Sequence, residues 1–448
     1  MKKTFAFALM LLAIAASAQN KAGGLSDDIL TDLGASYQGN AQDKAIRNAL
    51  NANSMTTLAL SAEKSVMPDT HFSHQVKTVG HTDQRASGRC WLFTGLNMLR
   101  AQMIAKNNLE SLTLSPNYLF FYDQLEKANL FLQGVIDTRK LPVTDRKVDW
   151  LFEHPISDGG QFTGVSNLVM KYGVVPADVM PETFASNNTS AMRSQLSLIL
   201  REGGLRLREC KPQECQAVKV AVLKDVYRVL ALCLGIPPKE FTWEGKEYTP
   251  QSYYKEMFGE DLNANYIMVM NNPTLDYGKV YEIDYDRHVY DGNNWVYVNL
   301  PMDRIKEMAI ASIKDNTPMY FSCDVGKCLD RNKGVADLDN YDYESLLGVK
   351  CNMDKKERIM THASGSTHAM TLIAVDIKDE KPVKWMVENS WGAGSGYGGN
   401  IIMTDEWFDN YMFRLVLNKK YVPADILKMT EQKPVLLPAW DPMFAPEE

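Results

Sequence analysis

The chain has 448 residues, of which 45% are apolar and 23% charged, and its formal net charge is −7. These values are typical of soluble globular proteins and exclude a disordered, collagen-like or coiled-coil chain. An acidic chain gains little from attraction to phosphate groups, so we expect no nucleic-acid partner.

The first 18 residues have the layout of a secretory signal peptide. Lys2 and Lys3 precede an apolar run over residues 5–15, and residues 16–18 (Ala-Ser-Ala) offer small side chains to a signal peptidase. The run is shorter than the ~20 residues that span a membrane as a helix. We therefore expect cleavage near Ala18, export to the periplasm or the medium, and no membrane association of the mature chain. An uncleaved interfacial anchor is the alternative.

Apolar residues recur at helical spacing in several segments of the mature chain. They predict an amphipathic helix that begins at Cys90 and a second helix near Val165. A third helix is predicted over residues 214–234, where a glycine and two prolines follow as stop signals. A fourth is predicted over residues 305–313, with Asp303 as its N-cap.

The pattern changes in the last third of the chain. Short strands are predicted at residues 319–323, 368–375, 383–387 and 413–417, separated by Gly, Asp and Lys turns. Residues 240–300 show no sustained period. A helical part therefore precedes a β-rich part, which gives the fold class α+β with an interface suited to a cleft.

The cysteines and histidines do not predict a metal site. Seven cysteines leave at least one free thiol, and none has the CxxC spacing of a structural zinc site. No HExxH motif is present, so we expect neither a metal nor another cofactor. Cys210 and Cys215 form either a disulfide or two reduced thiols, and the sequence leaves both open.

Cys90 differs from the other cysteines in its surroundings. It follows the segment 84–89 (Gln-Arg-Ala-Ser-Gly-Arg) and stands at the predicted N-terminus of a helix. Unpaired N–H groups and the helix dipole stabilise a thiolate at that position, and the thiolate is the nucleophilic form. This is a suitable place for an acyl-transfer nucleophile.

Three further residues complete a candidate catalytic set. His368 opens one predicted strand and Asn389 closes the next, so that the Asn389 amide can orient the imidazole ring. His368 can then pair with Cys90 and later protonate the leaving amine. Gln84 is placed to donate to the developing oxyanion together with the Cys90 backbone N–H, and such a donor contributes ~3–4 kcal/mol in the transition state. The set indicates a nucleophilic hydrolase.

These residues and their neighbours resemble the papain superfamily of cysteine peptidases, and within it the bleomycin hydrolase and aminopeptidase C family. The resemblance implies that Cys90 is the nucleophile, His368 the base and Asn389 its orienting residue. It also implies that Gln84 is the oxyanion donor and that the Trp391 ring shields the Asn–His hydrogen bond. The matching segments extend over nearly the whole mature chain: 87–91, 114–121, 158–161, 323–326, 367–371, 387–392, 403–408 and 437–443.

The resemblance implies a papain-like catalytic unit with a large insertion and two arms. We expect a signal peptide (1–18), an N-terminal arm (19–70), a helical half with Cys90 (71–200), an accessory insertion (201–300), a β-barrel half with His368 and Asn389 (301–430), and a C-terminal tail that enters the cleft (431–448).

The resemblance further implies a cysteine aminopeptidase that acts through an acyl-enzyme on peptides with a free N-terminus, and the signal-peptide pattern adds the expectation that it is exported. Relatives are homohexamers. Gly159 and Gly160 match the glycine pair that hydrogen-bonds the substrate backbone, and the terminal carboxylate of Glu448 matches the group that holds the substrate amine.

The chain differs from its relatives in two features, and these leave other functions possible. Pro446 lacks an N–H and fixes its own φ, so the tail cannot lie in the cleft as it does in relatives. A papain-like endopeptidase is the alternative if the tail leaves the cleft open. A non-catalytic peptide-binding assembly and a hydrolase of small-molecule amides are further alternatives. Export is the second departure, because well-known relatives act in the cytosol.

Overall fold

The computed structural model describes residues 23–37, 39–64 and 66–444. The chain forms two compact units, of which the smaller comprises Met1–Leu60 and Asp342–Val349. The larger comprises Ser61–Tyr341 and Lys350–Glu448 and contains every predicted catalytic residue. The predicted signal peptide and Glu448 lie outside the described residues.

The described chain is almost entirely helical up to Leu234 and combines helices with strands after it. The helices are α1 (Asp27–Ser36), α2 (Ala41–Ala52), α3 (Met55–Ala59), α4 (Cys90–Asn107), α5 (Pro116–Thr138), α6 (Arg146–Glu153), α7 (Phe162–Tyr172), α8 (Phe184–Asn187), α9 (Ser190–Glu209), α10 (Cys215–Leu234), α11 (Pro250–Met257), α12 (Leu262–Asn265), α13 (Met302–Lys314), α14 (Tyr343–Leu347), α15 (Lys355–Met360), α16 (Asp405–Tyr411) and α17 (Ala424–Met429). Within the described ranges, no helix combines the length and the apolar character needed to cross a membrane.

The strands are β1 (His74–Gln75), β2 (Phe241–Trp243), β3 (Lys246–Tyr248), β4 (Tyr266–Met270), β5 (Val280–Ile283), β6 (Val296–Asn299), β7 (Met319–Cys323), β8 (Leu329–Asp330), β9 (Val335–Ala336), β10 (His368–Lys378), β11 (Lys381–Glu388), β12 (Asn400–Thr404), β13 (Met412–Asn418) and β14 (Val435–Leu437). Short 3₁₀ turns lie at Leu338–Asn340, Lys419–Tyr421 and Pro442–Phe444.

Helix α4 begins at Cys90, as predicted, but it is not amphipathic. Side chains on all of its faces are buried from Cys90 to Ala101, because the helix packs against β10 on one side and against α5 and α7 on others. Its polar residues are therefore paired inside the protein. Arg100 forms an ion pair of 2.6 Å with Glu388 at the end of β11.

The other predicted helices are confirmed, with one correction at α13. This helix begins at Met302 after Pro301, which is the N-cap and forms no side-chain cap hydrogen bond. The prediction that Asp303 caps the helix is wrong, because Asp303 already lies in the first turn. Its carboxylate stabilises the helix there through the dipole.

One mixed sheet forms the β-rich part of the larger unit. Its strands follow the order β14-β5-β6-β4-β13-β7-β10-β11-β12-β9-β8, and β1 pairs with β10. Strand β10 runs antiparallel to β7 and β11, with His368 opposite Cys323 and Thr371 opposite Glu388. All four predicted strands are present and contribute to this sheet.

Strands β4, β5 and β6 belong to the same sheet, although the sequence analysis assigned residues 266–299 to an insertion. Strand β4 pairs antiparallel with β13 and parallel with β6. Four of its five side chains are buried, so the segment lacks the alternation of a half-exposed strand. The sequence pattern was therefore too uniform to indicate a strand.

Candidate active site

The nucleophile candidate Cys90 lies at the first position of α4 and is 3% exposed. The preceding residue, Arg89, occupies the N-cap position without a side-chain cap hydrogen bond. The first-turn N–H groups are therefore not satisfied by a capping side chain. Their partial positive charge favours an anion at this helix end, as a catalytic thiolate requires.

Arg89 holds the loop that directly precedes Cys90. Its guanidinium is fully buried and donates to both carboxylate oxygens of Glu182, at 3.1 and 2.7 Å, while Nε donates to Ser87 Oγ at 3.0 Å. The same group lies 5.1 Å from the ring centres of Phe93 and Phe120. This buried ion pair, which the sequence analysis missed, fixes the chain directly before the nucleophile.

His368 and Asn389 form the predicted pair. His368 Nε2 lies 2.9 Å from Asn389 Oδ1, which also accepts from the Ser390 backbone N–H at 2.8 Å. Because Oδ1 accepts from a backbone donor, Nε2 must carry the proton in this hydrogen bond, and the neutral ring then has its lone pair on Nδ1. The Trp391 ring lies 4.9 Å from the imidazole at an angle of 30°, where it covers the pair.

Helix α4 and strand β10 bring Cys90 and His368 to the same region. Thr371 Oγ1, three residues after His368, donates to the backbone carbonyl of Thr94, four residues after Cys90, at 3.4 Å. Cys90 and Ala369 also belong to one cluster of buried side chains. The start of the helix therefore packs beside the start of the strand.

The surroundings of His368 disfavour an isolated imidazolium. Burial lowers the pKa of His368 to about 4, the hydrogen bond that its Nε2–H donates to Asn389 raises it, and the nearby charge of Arg331 lowers it. Arg331 lies 5.1 Å above the Trp391 ring. At neutral pH the imidazolium is therefore stable only when an anion faces it, and the Cys90 thiolate is that anion in the sequence-based interpretation.

Gln84 is held next to the Asn389 loop. Its backbone N–H donates to the Ser390 carbonyl at 2.8 Å, and Ser390 Oγ donates to its Oε1 at 2.7 Å. Its Nε2 donates to the Ser87 carbonyl at 2.7 Å. Because an amide nitrogen has two hydrogens, one remains for an oxyanion. The oxyanion role of Gln84 stays a prediction, and the structure supplies the hydrogen bonds that orient its amide.

Gly159 and Gly160 line a cavity of about 120 Å³. Lys127 Nζ donates to the Gly159 carbonyl at 2.7 Å, which fixes the direction of this peptide. A Cβ at Gly160 would clash with the rings of His288 and Trp91, so only glycine fits there. The contact of both glycines with a substrate backbone stays a prediction.

A buried charge network behind these glycines was not predicted. Asp123 lies 2.6 Å from His288 Nδ1 and 2.9 Å from Lys127 Nζ. Burial alone would raise the pKa of Asp123, but Lys127 and His288 hold it below its usual value, while burial and Lys127 lower the pKa of His288. Asp123 and Lys127 are four residues apart on one helix, so their ion pair could have been predicted from the sequence. His288 lies in a segment whose sequence shows no helix or strand pattern, so its place in the network could not.

The remaining candidates are not part of this site. Cys210 and Cys215 lie side by side and are not bonded to each other in the structure, with their sulfur atoms 2.9 Å apart. Burial and the neighbouring Cys215 raise the pKa of the Cys210 thiol. Among the residues that the structure describes, no group of three or more His, Cys, Asp or Glu side chains could hold a metal ion.

The α+β fold and the Cys–His–Asn arrangement define a papain-like cysteine peptidase. The Peptidase C1-like family model matches residues 24–444, and the chain belongs to this family. It is 37% identical over 441 residues to aminopeptidase C of Lactobacillus delbrueckii subsp. lactis, covering 94% of this chain and 98% of the relative. It is 40% identical over 400 residues to bleomycin hydrolase of Mus musculus, covering 84% and 88%.

A solved structure supports the same assignment. PepW from Lactobacillus rhamnosis superimposes with a TM-score of 0.90 at 34% identity, covering 94% of this chain and 99% of that one. The predicted resemblance to the bleomycin hydrolase and aminopeptidase C family is confirmed.

Proposed function

We propose that this chain, a cysteine aminopeptidase, releases N-terminal residues from peptides through an acyl-enzyme on Cys90. The observation that carries the proposal is the hydrogen bond of 2.9 Å between His368 Nε2 and Asn389 Oδ1. It leaves Nδ1 of the ring for the thiol, next to the helix end that bears Cys90. Relatives named aminopeptidase C and bleomycin hydrolase give the reaction class.

The proposed reaction has two halves. Cys90 Sγ attacks the carbonyl carbon of the first peptide bond, and the oxyanion receives N–H donors from Gln84 and the Cys90 backbone. The His368 imidazolium protonates the leaving amine, and the carbon–nitrogen bond breaks to give a thioester. His368 then takes a proton from water, which attacks the thioester and releases the amino acid.

Location, assembly and the finer fold are also part of the proposal. The signal-peptide pattern of residues 1–18 supports export after cleavage near Ala18. Family resemblance supports a homohexamer, a β-barrel half and a large insertion, which we now limit to residues 201–265 because β4, β5 and β6 belong to the main sheet. The tail of residues 431–448 is proposed to reach the cleft, with a carboxylate near Glu448 as a gate.

The test compares fluorogenic aminoacyl amides that have free N-termini with the same amides after N-acetylation. Wild-type protein is expected to cleave the free set, and Cys90→Ala is expected to lose turnover while keeping its fold and assembly. Cleavage of both sets would establish an endopeptidase. Near wild-type turnover by Cys90→Ala would overturn the assignment, and binding without turnover by the wild type would indicate a non-catalytic assembly.

A further inference from the structure

Arg331 places a positive charge beside the candidate catalytic residues. The central carbon of its guanidinium lies 5.1 Å from the centre of the Trp391 ring, and that ring lies 4.9 Å from the His368 imidazole. The guanidinium is therefore within about 10 Å of the imidazole centre, a distance that about three extended residues span. Its charge is also felt at the catalytic ring, because it lowers the pKa of His368. The Arg331 side chain is exposed, so a peptide in the cleft can reach it.

The turn that carries Arg331 is held by hydrogen bonds. It joins β8 to β9, and Asp330 Oδ1 accepts from the backbone N–H groups of Asn332 and Lys333, at 3.1 and 3.3 Å. The backbone N–H of Gly334 donates to the Asp330 carbonyl at 2.9 Å, with Gly334 in the left-handed region at φ +68°. Strand β9 also pairs with β12 of the main sheet. Arg331 therefore projects from a fixed backbone position.

Arg331 forms no ion pair with any of the described residues. The nearby carboxylates already have other partners. Asp330 pairs with the lysine three residues further along the chain, at 3.2 Å. Asp83, whose backbone pairs with that of Trp391, lies 3.1 Å from Arg85. The guanidinium of Arg331 is thus left for an external anion.

The two buried arginines near the catalytic set differ from Arg331 in this respect. Arg89 pairs with Glu182 at 2.7 Å, and Arg100 pairs with Glu388 at 2.6 Å. Both are used to hold the folded chain together. Arg331 is exposed and has no counter-ion among the described residues, so the folded chain does not account for its charge.

A guanidinium over a tryptophan ring is well suited to bind a carboxylate. Its N–H donors lie in one plane, in a fork that matches the two oxygens of a carboxylate. Contact with the aromatic ring restrains the guanidinium, so less freedom is lost when an anion binds. The Trp391 ring provides that contact for Arg331.

The leaving part of the substrate is the part that comes closest to this arginine. In the proposed reaction His368 protonates the leaving amine, so the first residue after the cleaved bond lies beside the imidazole. The part before the cleaved bond is expected at Gly159 and Gly160, which belong to the helical part of the unit. Arg331 belongs to a hairpin of the β-rich part.

We propose that Arg331 is a substrate-binding residue that binds a carboxylate on the leaving part of the peptide. The carboxylate belongs either to an acidic side chain just after the cleaved bond or to the free C-terminus of a short peptide. Favoured substrates are then peptides with Asp or Glu in the second position, or very short peptides. The proposal deepens the proposed peptidase function and rests on it.

The test measures kcat/KM for three peptides by the release of leucine. They are leucyl-glutamyl-alanine amide, leucyl-glutaminyl-alanine amide and leucyl-glutaminyl-alanine with a free carboxyl end. The ratio of the glutamyl to the glutaminyl amide reports a side-chain carboxylate. The ratio of the free to the amidated glutaminyl peptide reports the C-terminal carboxylate. Any general effect of a substitution on catalysis cancels in each ratio.

Arg331→Gln is expected to lower at least one of these ratios about three- to fivefold, the upper range for an exposed ion pair. Arg331→Lys keeps the charge and should retain part of the preference. Arg228→Gln, which replaces an exposed arginine on α10, is the matched control and should leave both ratios unchanged. Salt at about 0.5 M should lower the wild-type ratio, because it screens exposed charges, and should not affect Arg331→Gln.

Two results would overturn the proposal: both ratios equal in wild type and Arg331→Gln, or the same loss in Arg228→Gln. The peptidase function can fail separately. If wild-type protein cleaves none of the peptides, their binding is measured by calorimetry on Cys90→Ala. Weaker binding of the carboxylate-bearing peptides when Arg331→Gln is added would support the site without the reaction, and equal binding or none would overturn it.

Discussion

In the proposed mechanism, His368 is the residue whose titration controls the site. Burial favours its neutral form, so the imidazolium that protonates the leaving amine depends on the thiolate of Cys90. Two neighbours act in opposite directions: the hydrogen bond to Asn389 favours the charged ring, and the Arg331 guanidinium disfavours it. Each can be altered without touching the nucleophile.

Replacing Arg331 by glutamine should move the alkaline limb of the pH profile upward. Removal of a nearby positive charge raises the pKa of His368, so the imidazolium persists to higher pH. We expect the alkaline limb of kcat/KM to rise by about half a pH unit, equivalent to ~0.7 kcal/mol. The exposed Arg228 on α10 offers a matched control, Arg228→Gln, which should leave the profile unchanged. A downward shift in Arg331→Gln contradicts this interpretation.

Replacing Asn389 by alanine should reduce turnover while the thiol remains in place. Hydrogen bonds to charged groups contribute ~1.5–3 kcal/mol, so kcat/KM should fall about 10- to 150-fold. Circular dichroism and the unfolding midpoint serve as controls for the fold. Unchanged kcat/KM in a folded variant would show that Asn389 does not orient His368.

At the scale of elements, the start of α4 depends on a buried ion pair rather than on a capping side chain. We expect Arg89→Met to lower the free energy of unfolding by ~1.5–3 kcal/mol, because it removes the two hydrogen bonds to the Glu182 carboxylate, whose side chain is 25% exposed. Arg85→Met is the matched control, since Arg85 is 65% exposed and pairs with Asp83 at the surface. That variant should cost at most ~1 kcal/mol. Equal losses in denaturant unfolding would contradict the assigned role of Arg89.

The elements that the sequence predicted best are those whose patterns are local. Helix α4 has apolar side chains at helical spacing, and strands β10 and β11 consist of apolar runs bounded by turn residues. The catalytic set followed from them, because Cys90 and His368 each begin an element and Asn389 directly follows β11. Sequence order and element ends were sufficient to predict that His368 meets Asn389, and the pairing of His368 with Cys90 stays a prediction.

The features that were missed depend on tertiary packing. Strand β4 is recognisable only beside β13, and Asp286 and His288 follow β5 in a segment without period. The Arg89–Glu182 pair joins residues far apart in the chain. No local pattern predicts which distant side chains will pair inside the protein, because that depends on how the elements pack together.

At the scale of the whole molecule, the C-terminal segment connects the β-rich part to the cavity beside Gly159 and Gly160. Ala439 and Phe444 line the cavity, and Arg414 of β13 donates to the Met443 carbonyl. Ala439 and Phe444 therefore form part of the cavity wall. If the tail closes this end of the cleft as proposed, it restricts the protein to aminopeptidase activity.

Removing residues 438–448 should allow the protein to cleave substrates whose N-terminus is blocked. Without Ala439 and Phe444 the cavity is open on one side, so N-acetylated amides should gain access. We expect the ratio of kcat/KM for acetylated over free amides to rise at least about tenfold. Lys433→Ala, an exposed change upstream of the deletion, is the control. An unchanged ratio in a folded truncated chain would show that the tail does not gate the cleft.

The central claim is that Cys90 reacts as a thiolate paired with His368. The most direct measurement is the pH dependence of iodoacetamide alkylation, with the modified residue located by mass spectrometry among the seven cysteines. The account predicts selective and rapid alkylation of Cys90 well below the ordinary thiol pKa of ~8.5, and loss of that low-pH reactivity in His368→Ala. Alkylation of Cys90 that follows an ordinary thiol titration in both proteins would contradict it.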